Sequence, residues 1–298
     1  MNTLEITTQI GCPLMCTFCP QDKLRQAYTD PIKKMSLETF VTALSKLSKD
    51  VRIVFAGYTE PWANDLCNDF LEISLQQGFD VGIYTTLYNI NPAQCDRLIL
   101  LLIQYKSQIK DFWVHLPDQN KNMVGFRYSK DFEYTFDCIS QLADINYMTM
   151  DSESRIDPAI KTTIVSRNWY LHTRANNLTI NNIKQQPVNL PPRYEFIVEC
   201  TRNKDYHSNI LLPNGDVILC CMDYGLKHTL GNLLTQSYDE ILNSHELKRV
   251  TELNNQLGFS EETLCKSCND AYCHSPWNNQ KVWDLVAKVD PDLLGIVK

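Results

Sequence analysis

The stretch Gly11-Cys12-Pro13-Leu14-Met15-Cys16-Thr17-Phe18-Cys19-Pro20 decides how the rest of the chain is read. Its cysteines follow the spacing C-x3-C-x2-C. The segment before it, Leu4-Glu5-Ile6-Thr7-Thr8, alternates apolar and polar residues and predicts a strand. The triad therefore sits in a loop leaving the end of the first strand, where α/β folds put their chemistry. Four thiolates would close a four-iron cluster. Three leave one iron open to a ligand that is not protein. A bare cysteine triad is also compatible with a zinc site or a redox pair.

Outward from this loop the pattern is regular. Residues 22–34 are polar and predict a covering segment. Ser36 caps a helix with apolar positions Leu37, Phe40, Val41, Leu44 and Leu47. Residues 51–55 predict a strand, 56–61 a loop, and 63–77 a helix stopped by Gly78. Strand 81–86 follows, then a helix opened by Asn91-Pro92. Strands at 112–116, 145–150 and 169–173 are separated by helices at 130–143 and 158–167. Such alternation predicts a parallel sheet with helical crossovers. Six units are too few for an eight-fold barrel and predict an open, partial (β/α)6 barrel. On the first strand, Leu4 and Ile6 face the helices, and Glu5 and Thr7 face the lumen. Glu5 then reads either as a substrate ligand or as the partner of a neighbouring basic side chain.

The stretch Gln185-Gln-Pro-Val-Asn-Leu-Pro-Pro192 predicts a boundary. It divides the chain into a barrel at 1–184, a linker at 185–199 and a second unit at 200–298. The second unit opens with a hairpin around Asn214-Gly215, ending in Cys220-Cys221. A helix is expected over 238–253, then the knuckle Cys265-Lys-Ser-Cys268, then Cys273. Of the twelve cysteines, three lie in the first twenty residues and six in the last hundred. Cys67, Cys95 and Cys138 fall in helix-like stretches and read as small core residues. Cys200, Cys220, Cys265 and Cys268 are four thiolates able to converge on zinc or on a cluster.

The 298 residues carry a net charge of −7 with no long basic run, which argues against a nucleic-acid partner. The apolar run at 98–103 is too short to span a bilayer. The opening residues carry no secretory pattern, so a cytoplasmic location is expected. Cysteines clustered in a reducing compartment argue for metal rather than disulfides.

Cys12, Cys16, Phe18 and Cys19 resemble the C-x3-C-x-aromatic-C signature of the radical S-adenosylmethionine (SAM) superfamily. The resemblance implies a SAM-binding [4Fe-4S] cluster on the three cysteines. It also implies a 5′-deoxyadenosyl radical and an external one-electron reductant of the flavodoxin or ferredoxin type. Gly57-Tyr58-Thr59-Glu60-Pro61 resembles the family's Gly-Gly-Glu-Pro-like segment, with Tyr58 in place of a small residue. It implies that this backbone edge and Glu60 take the SAM ammonium. Thr85, Thr86 and His115, at strand ends on the same side, would read its carboxylate and ribose. Thr173-Arg-Ala-Asn-Asn-Leu178 resembles a Ser-Arg-Ala-Gly-Asn-Leu segment of relatives with extra clusters. Arg174 would then reach a carboxylate or hydroxyl at the cavity mouth.

The order Cys200, Gly215 to Cys220, Gly231-Asn232, Cys265 and Cys268 resembles the twitch and SPASM subfamilies. It implies one auxiliary [4Fe-4S] cluster, with Cys221 and Cys273 too few for a second full set and either one open as an alternative ligand. A neighbour of Cys220 on a strand points the other way. Cys221 therefore reads as a thiol hydrogen donor, as in radical SAM epimerases, or as a packed cysteine. The expected chemistry is hydrogen abstraction from a C–H bond of a small sugar- or aminocyclitol-like molecule or a peptide. The first strand begins near Met1 and leaves no room for a leader-binding domain, which favours the small substrate. The outcome is epimerisation through Cys221, or two-electron dehydrogenation of a secondary alcohol through the auxiliary cluster. A zinc-stabilised binding protein is the reading from a different class.

Overall fold

The computed structural model describes residues 2–150, 155–168, 173–178 and 192–274, together with Lys288. The first strand, β1 (Thr3–Ile6), lies inside a nine-stranded sheet. On one side of it run β2 (Arg52–Phe55), β3 (Val81–Thr85), β4 (Ile109–His115), β5 (Asn146–Thr149) and β6 (Arg167–Asn168), each parallel to the last. Leu4 and Ile6 are fully buried, as are Ile53, Phe55, Val81 and Ile83. They pack against helices α2 (Leu37–Leu44), α3 (Cys67–Gln76), α4 (Pro92–Gln104) and α5 (Lys130–Ser140).

The helix starts obey local chemistry. Ser36 Oγ accepts from Thr39 N at 3.0 Å, and Asn91 and Gln94 form a reciprocal capping box with Pro92 at the first helical position. In α2 the core face is Phe40, Ala43 and Leu44, whereas Leu37 and Val41 lie on the surface. Cys67 and Cys95 are buried helix residues, as expected of core thiols, and Cys138 on α5 is half-buried.

Three expectations change. The covering segment after the cysteine loop contains a helix, α1 (Gln21–Ala27), which buries Gln21 and Leu24. No helix forms over 158–167. Asp157 turns the chain by accepting from Ala159 N, and the β-branched run Thr162-Thr163-Ile164-Val165 that follows disfavours helix. A short strand β6 occupies Arg167–Asn168, and residues 169–172 of the predicted sixth strand lie outside the described residues. The expected helix at 238–253 is two helices, α6 (Tyr238–Leu242) and α7 (His245–Asn254), because Ser244 caps the second through Leu247 N.

The larger finding lies on the other side of β1. The expected hairpin exists as β8 (Ser208–Leu211) and β9 (Asp216–Ile218), with Gly215 in its turn at φ +88°. It does not stand apart. β8 runs parallel to β1, pairing Ile210 with Glu5, and β9 continues to β10 (Thr229–Asn232) in the same sheet. A separate two-stranded sheet pairs β7 (Val198–Cys200) with β11 (Ala271–Cys273). The proline-rich boundary at 185–191 lies outside the described residues. Among the described residues no helix is long and apolar enough to cross a membrane.

Candidate active site

The cysteine loop leaves β1 and is pinned by the segment after β4. Met15 N donates to Val124 O and Thr17 N to Asn122 O, both at 2.9 Å. Phe18, buried between Cys16 and Cys19, stacks on His115 with ring centroids 5.2 Å apart. Burial pushes Cys12 up to about 11, and holds Cys16 well above the ordinary thiol value with Cys19 and Cys12 adding to the shift. Cys19 Sγ also accepts from Gln21 Nε2 and shares a hydrogen bond with Tyr224 Oη, each at 3.4 Å.

The loop after β2 comes close to the end of β1. At Gly57, φ is +64° and a β-carbon would stand 2.4 Å from Thr7 Oγ1, so glycine is required. Tyr58 N then donates to Thr7 Oγ1 at 3.1 Å. Glu60 turns inward and is buried. Its Oε1 accepts from Thr85 Oγ1 at 2.6 Å and from Trp62 N at 3.4 Å. Its Oε2 accepts from Thr86 N at 2.7 Å and Thr86 Oγ1 at 2.6 Å. Burial raises the Glu60 carboxyl, and these donors oppose the shift.

These side chains border a cavity of 430 Å³ inside the sheet. Gly57, Thr59, Glu60, Thr85, Thr86 and His115 line it from one part of the chain, and Glu5, Arg174, Arg202, Cys221 and Tyr224 from others. Thr59 Oγ1 and His115 Nε2 are buried with no hydrogen-bond partner among the described residues. Desolvation, with Arg174 nearby, lowers His115 to about 3, so its imidazole is neutral across the physiological range. Glu5 is raised to about 7 by burial. Arg174, Ala175 and Asn176 take φ of 52°, 51° and 64°, three successive residues in the left-handed region. Asn177 Nδ2 holds this turn, donating to Arg174 O and to Met222 O at 2.7 Å each.

A second cavity, of 140 Å³, adjoins the first. Cys200 at the end of β7, Cys220 after β9, and Cys265 and Cys268 of the knuckle all line it. Cys273, on β11, does not. Backbone N–H groups point at the sulfurs: Asn203 N to Cys200 Sγ at 3.2 Å and Asp270 N to Cys268 Sγ at 3.4 Å. Three residues line both cavities: Glu5, Arg202 and Cys221. Cys221 is half-buried, and its thiol is pushed up to about 12, first by desolvation and then by the Glu5 carboxylate.

A family model described as SPASM, an iron-sulfur cluster-binding domain, matches residues 200–269. The fold is similar along nearly its whole length to the crystal structure of BtrN in complex with AdoMet and 2-DOIA, with a TM-score of 0.57, 17% identity and 94% of each chain covered. It is also similar to native anSMEcpe with bound AdoMet, with a TM-score of 0.52, 12% identity and 99% and 98% of the chains covered. Residues 200–269 thus match an iron-sulfur cluster-binding domain model, and the fold of the whole chain is that of these two AdoMet-bound structures. No curated protein sequence matches it.

The matched range spans all five thiols that line the smaller cavity, Cys221 among them. Among the described residues no three cysteine, histidine or carboxylate groups converge tightly enough for a single metal ion. A zinc ion, with Zn–S of about 2.3 Å, would hold its sulfurs about 3.8 Å apart. The thiols lining one cavity, with N–H donors on Cys200 and Cys268, are a donor set that fits an iron-sulfur core. Cys12, Cys16 and Cys19, half-buried in the loop after β1, are a three-thiol donor set of the kind such a core takes, one short of the four that would close it. Sequence reasoning missed Arg202, Gln21, Thr7 and Tyr224 as site residues. For Tyr224 a signal existed, an aromatic three positions after Cys221.

Proposed function

We propose that this protein is a radical SAM enzyme that inverts a carbon centre of a small hydroxyl- or amine-bearing molecule, with Cys221 as the hydrogen donor. Cys12, Cys16 and Cys19 would hold the SAM-binding cluster, and Cys200, Cys220, Cys265 and Cys268 the auxiliary one. When bound and reduced by one electron, SAM on such a cluster supplies a 5′-deoxyadenosyl radical that removes hydrogen from a C–H bond. The chain's own groups do the rest. Glu60, through Thr85 and Thr86, shapes the wall where the SAM ammonium would sit, and Phe18 and His115 close the side nearest the cysteine loop. Glu5, Arg174 and Arg202 offer charged contacts to a polar substrate.

The observation that carries this reading is the position of Cys221. It lines the substrate-sized cavity and the auxiliary thiol cavity at once, while Cys220 lines only the latter. Its S–H hydrogen passes to the substrate carbon and leaves a sulfur radical. A proton and one electron, from a flavodoxin- or ferredoxin-type reductant, restore the thiol. The polar lining suits a sugar or aminocyclitol better than an apolar group.

A second reading rests on Glu5. A carboxyl raised to about 7 beside the auxiliary thiols is poised to accept a proton from a secondary alcohol during two-electron oxidation. The 2-DOIA named for the BtrN complex is a small molecule of the size this reading requires. Anaerobic turnover in D2O against a panel of aminocyclitols and amino sugars separates the two. Epimerisation places one solvent deuterium at the inverted carbon. A ketone product without solvent deuterium at that carbon gives the site to dehydrogenation.

A further inference from the structure

Tyr58 stands where the resembled segment has a small residue, and its side chain does something specific. Its ring lies 4.6 Å from the ring of Tyr224. Its hydroxyl donates to Cys220 O at 2.8 Å and to Asp223 O at 3.0 Å. Tyr224, fixed by that ring contact and by Tyr224 N donating to Met222 O at 3.0 Å, reaches 3.4 Å from Cys19 Sγ. Gln21 completes the arrangement, its Nε2 donating to Tyr58 O and to Cys19 Sγ. A chain of contacts therefore runs from a cysteine of the first site to the backbone of a cysteine of the second. Both tyrosines are buried, and they pack in a cluster with Leu24, Ile210 and Ile218.

We infer that Tyr224, held in place by Tyr58, is a positioning residue that sets the reduction potential of the SAM-binding cluster. The chemistry follows from the donor rules. A metal-bound thiolate can only accept, so in the loaded protein the phenol O–H must donate to Cys19 Sγ. A hydrogen bond to a cluster sulfur favours the more negative, reduced state, and cluster potentials depend on such bonds. Tyr224 is carried by the same loop as Cys220 and Cys221. The bond therefore ties the potential of the first cluster to the seating of the auxiliary loop. The inference rests on the reading that Cys12, Cys16 and Cys19 hold a cluster.

The test is a potentiometric titration of the anaerobically loaded protein followed by electron paramagnetic resonance. The first cluster is recognised as the signal that shifts when SAM is added. Tyr224→Phe keeps the ring and removes the donor. The reduction equilibrium of the first cluster should fall about tenfold, which is ~59 mV for one electron. Tyr58→Phe keeps Tyr224 Oη on Cys19 and should leave that potential near its original value, while perturbing the auxiliary signal through Cys220. If Tyr224→Phe does not assemble the cluster, the replacement Tyr224→3-fluorotyrosine keeps the shape and strengthens the donor, and should raise the potential. An iron-loaded Tyr224→Phe or fluorotyrosine protein with an unchanged potential overturns the inference. A wild-type protein that binds no iron at the first site overturns the cluster reading beneath it instead.

Discussion

Glu60 holds Thr86 twice, through the backbone N–H at 2.7 Å and the hydroxyl at 2.6 Å, both on Oε2. With Thr85 and Trp62 N on Oε1, all of the roughly four lone-pair sites of a carboxylate are engaged. The carboxylate therefore shapes the end of β3 as well as placing negative charge at the cavity wall. Glu60→Gln removes that charge and turns an amide N–H2 toward two donors. The loss should be about 1–3 kcal/mol of stability, the scale for leaving buried partners unmade. SAM affinity should fall by about 1.5–3 kcal/mol if the carboxylate also meets the ammonium. Thermal unfolding and calorimetry measure the two effects separately. Lowered stability with unchanged SAM affinity would assign Glu60 to positioning the threonines alone.

The two thiol groups predict the iron count. Anaerobically reconstituted protein should carry about eight irons, four per cluster. Replacing Cys12, Cys16 and Cys19 together with Ala should remove about half of the iron and all SAM cleavage, leaving the auxiliary set around its own cavity. Iron and sulfide analysis decides the matter, since full retention of iron contradicts the assignment.

Cys220 and Cys221 should part company on mutation. Cys221→Ala should keep both clusters and still cleave SAM, because abstraction comes before the hydrogen is returned. Product should be lost, with starting material recovered or a trapped radical visible by paramagnetic resonance. Cys220→Ala should instead damage the auxiliary cluster. Normal turnover by Cys221→Ala, with an oxidised product, would make the thiol a bystander.

Glu5 predicts a pH effect of definite sign. Its carboxyl is raised from 4.5 to about 7 by burial, so the folded protein holds that proton more tightly than the unfolded chain. Stability from this group is complete below about pH 4.5 and is lost as pH rises to about 7. At about 1.36 kcal/mol per pH unit, the change is about 3 kcal/mol. Glu5→Gln should remove this slope from anaerobic urea unfolding measured between pH 5 and 7.5. A slope preserved in the variant would show that another group causes it.

The sequence by itself determined whatever depends on near neighbours along the chain. The cysteine spacing, its place after β1, the caps at Ser36 and Asn91 and the Asn214-Gly215 turn are all short-range features, and the structure keeps them. Short-range signals also failed where they conflicted. The run of β-branched residues at 162–165 opposed the helix expected there, and Ser244 capped a new helix inside one read as continuous. Only the tertiary structure decided that β8 pairs with β1, which brings the Cys220-Cys221 end of the hairpin against the barrel lumen. It alone placed Cys221 and Glu5 between two cavities, and brought Tyr224 to Cys19 across 205 residues of sequence. Periodicity specifies which face of an element is buried. It does not specify which distant element covers that face, because this is settled by packing the whole sheet at once.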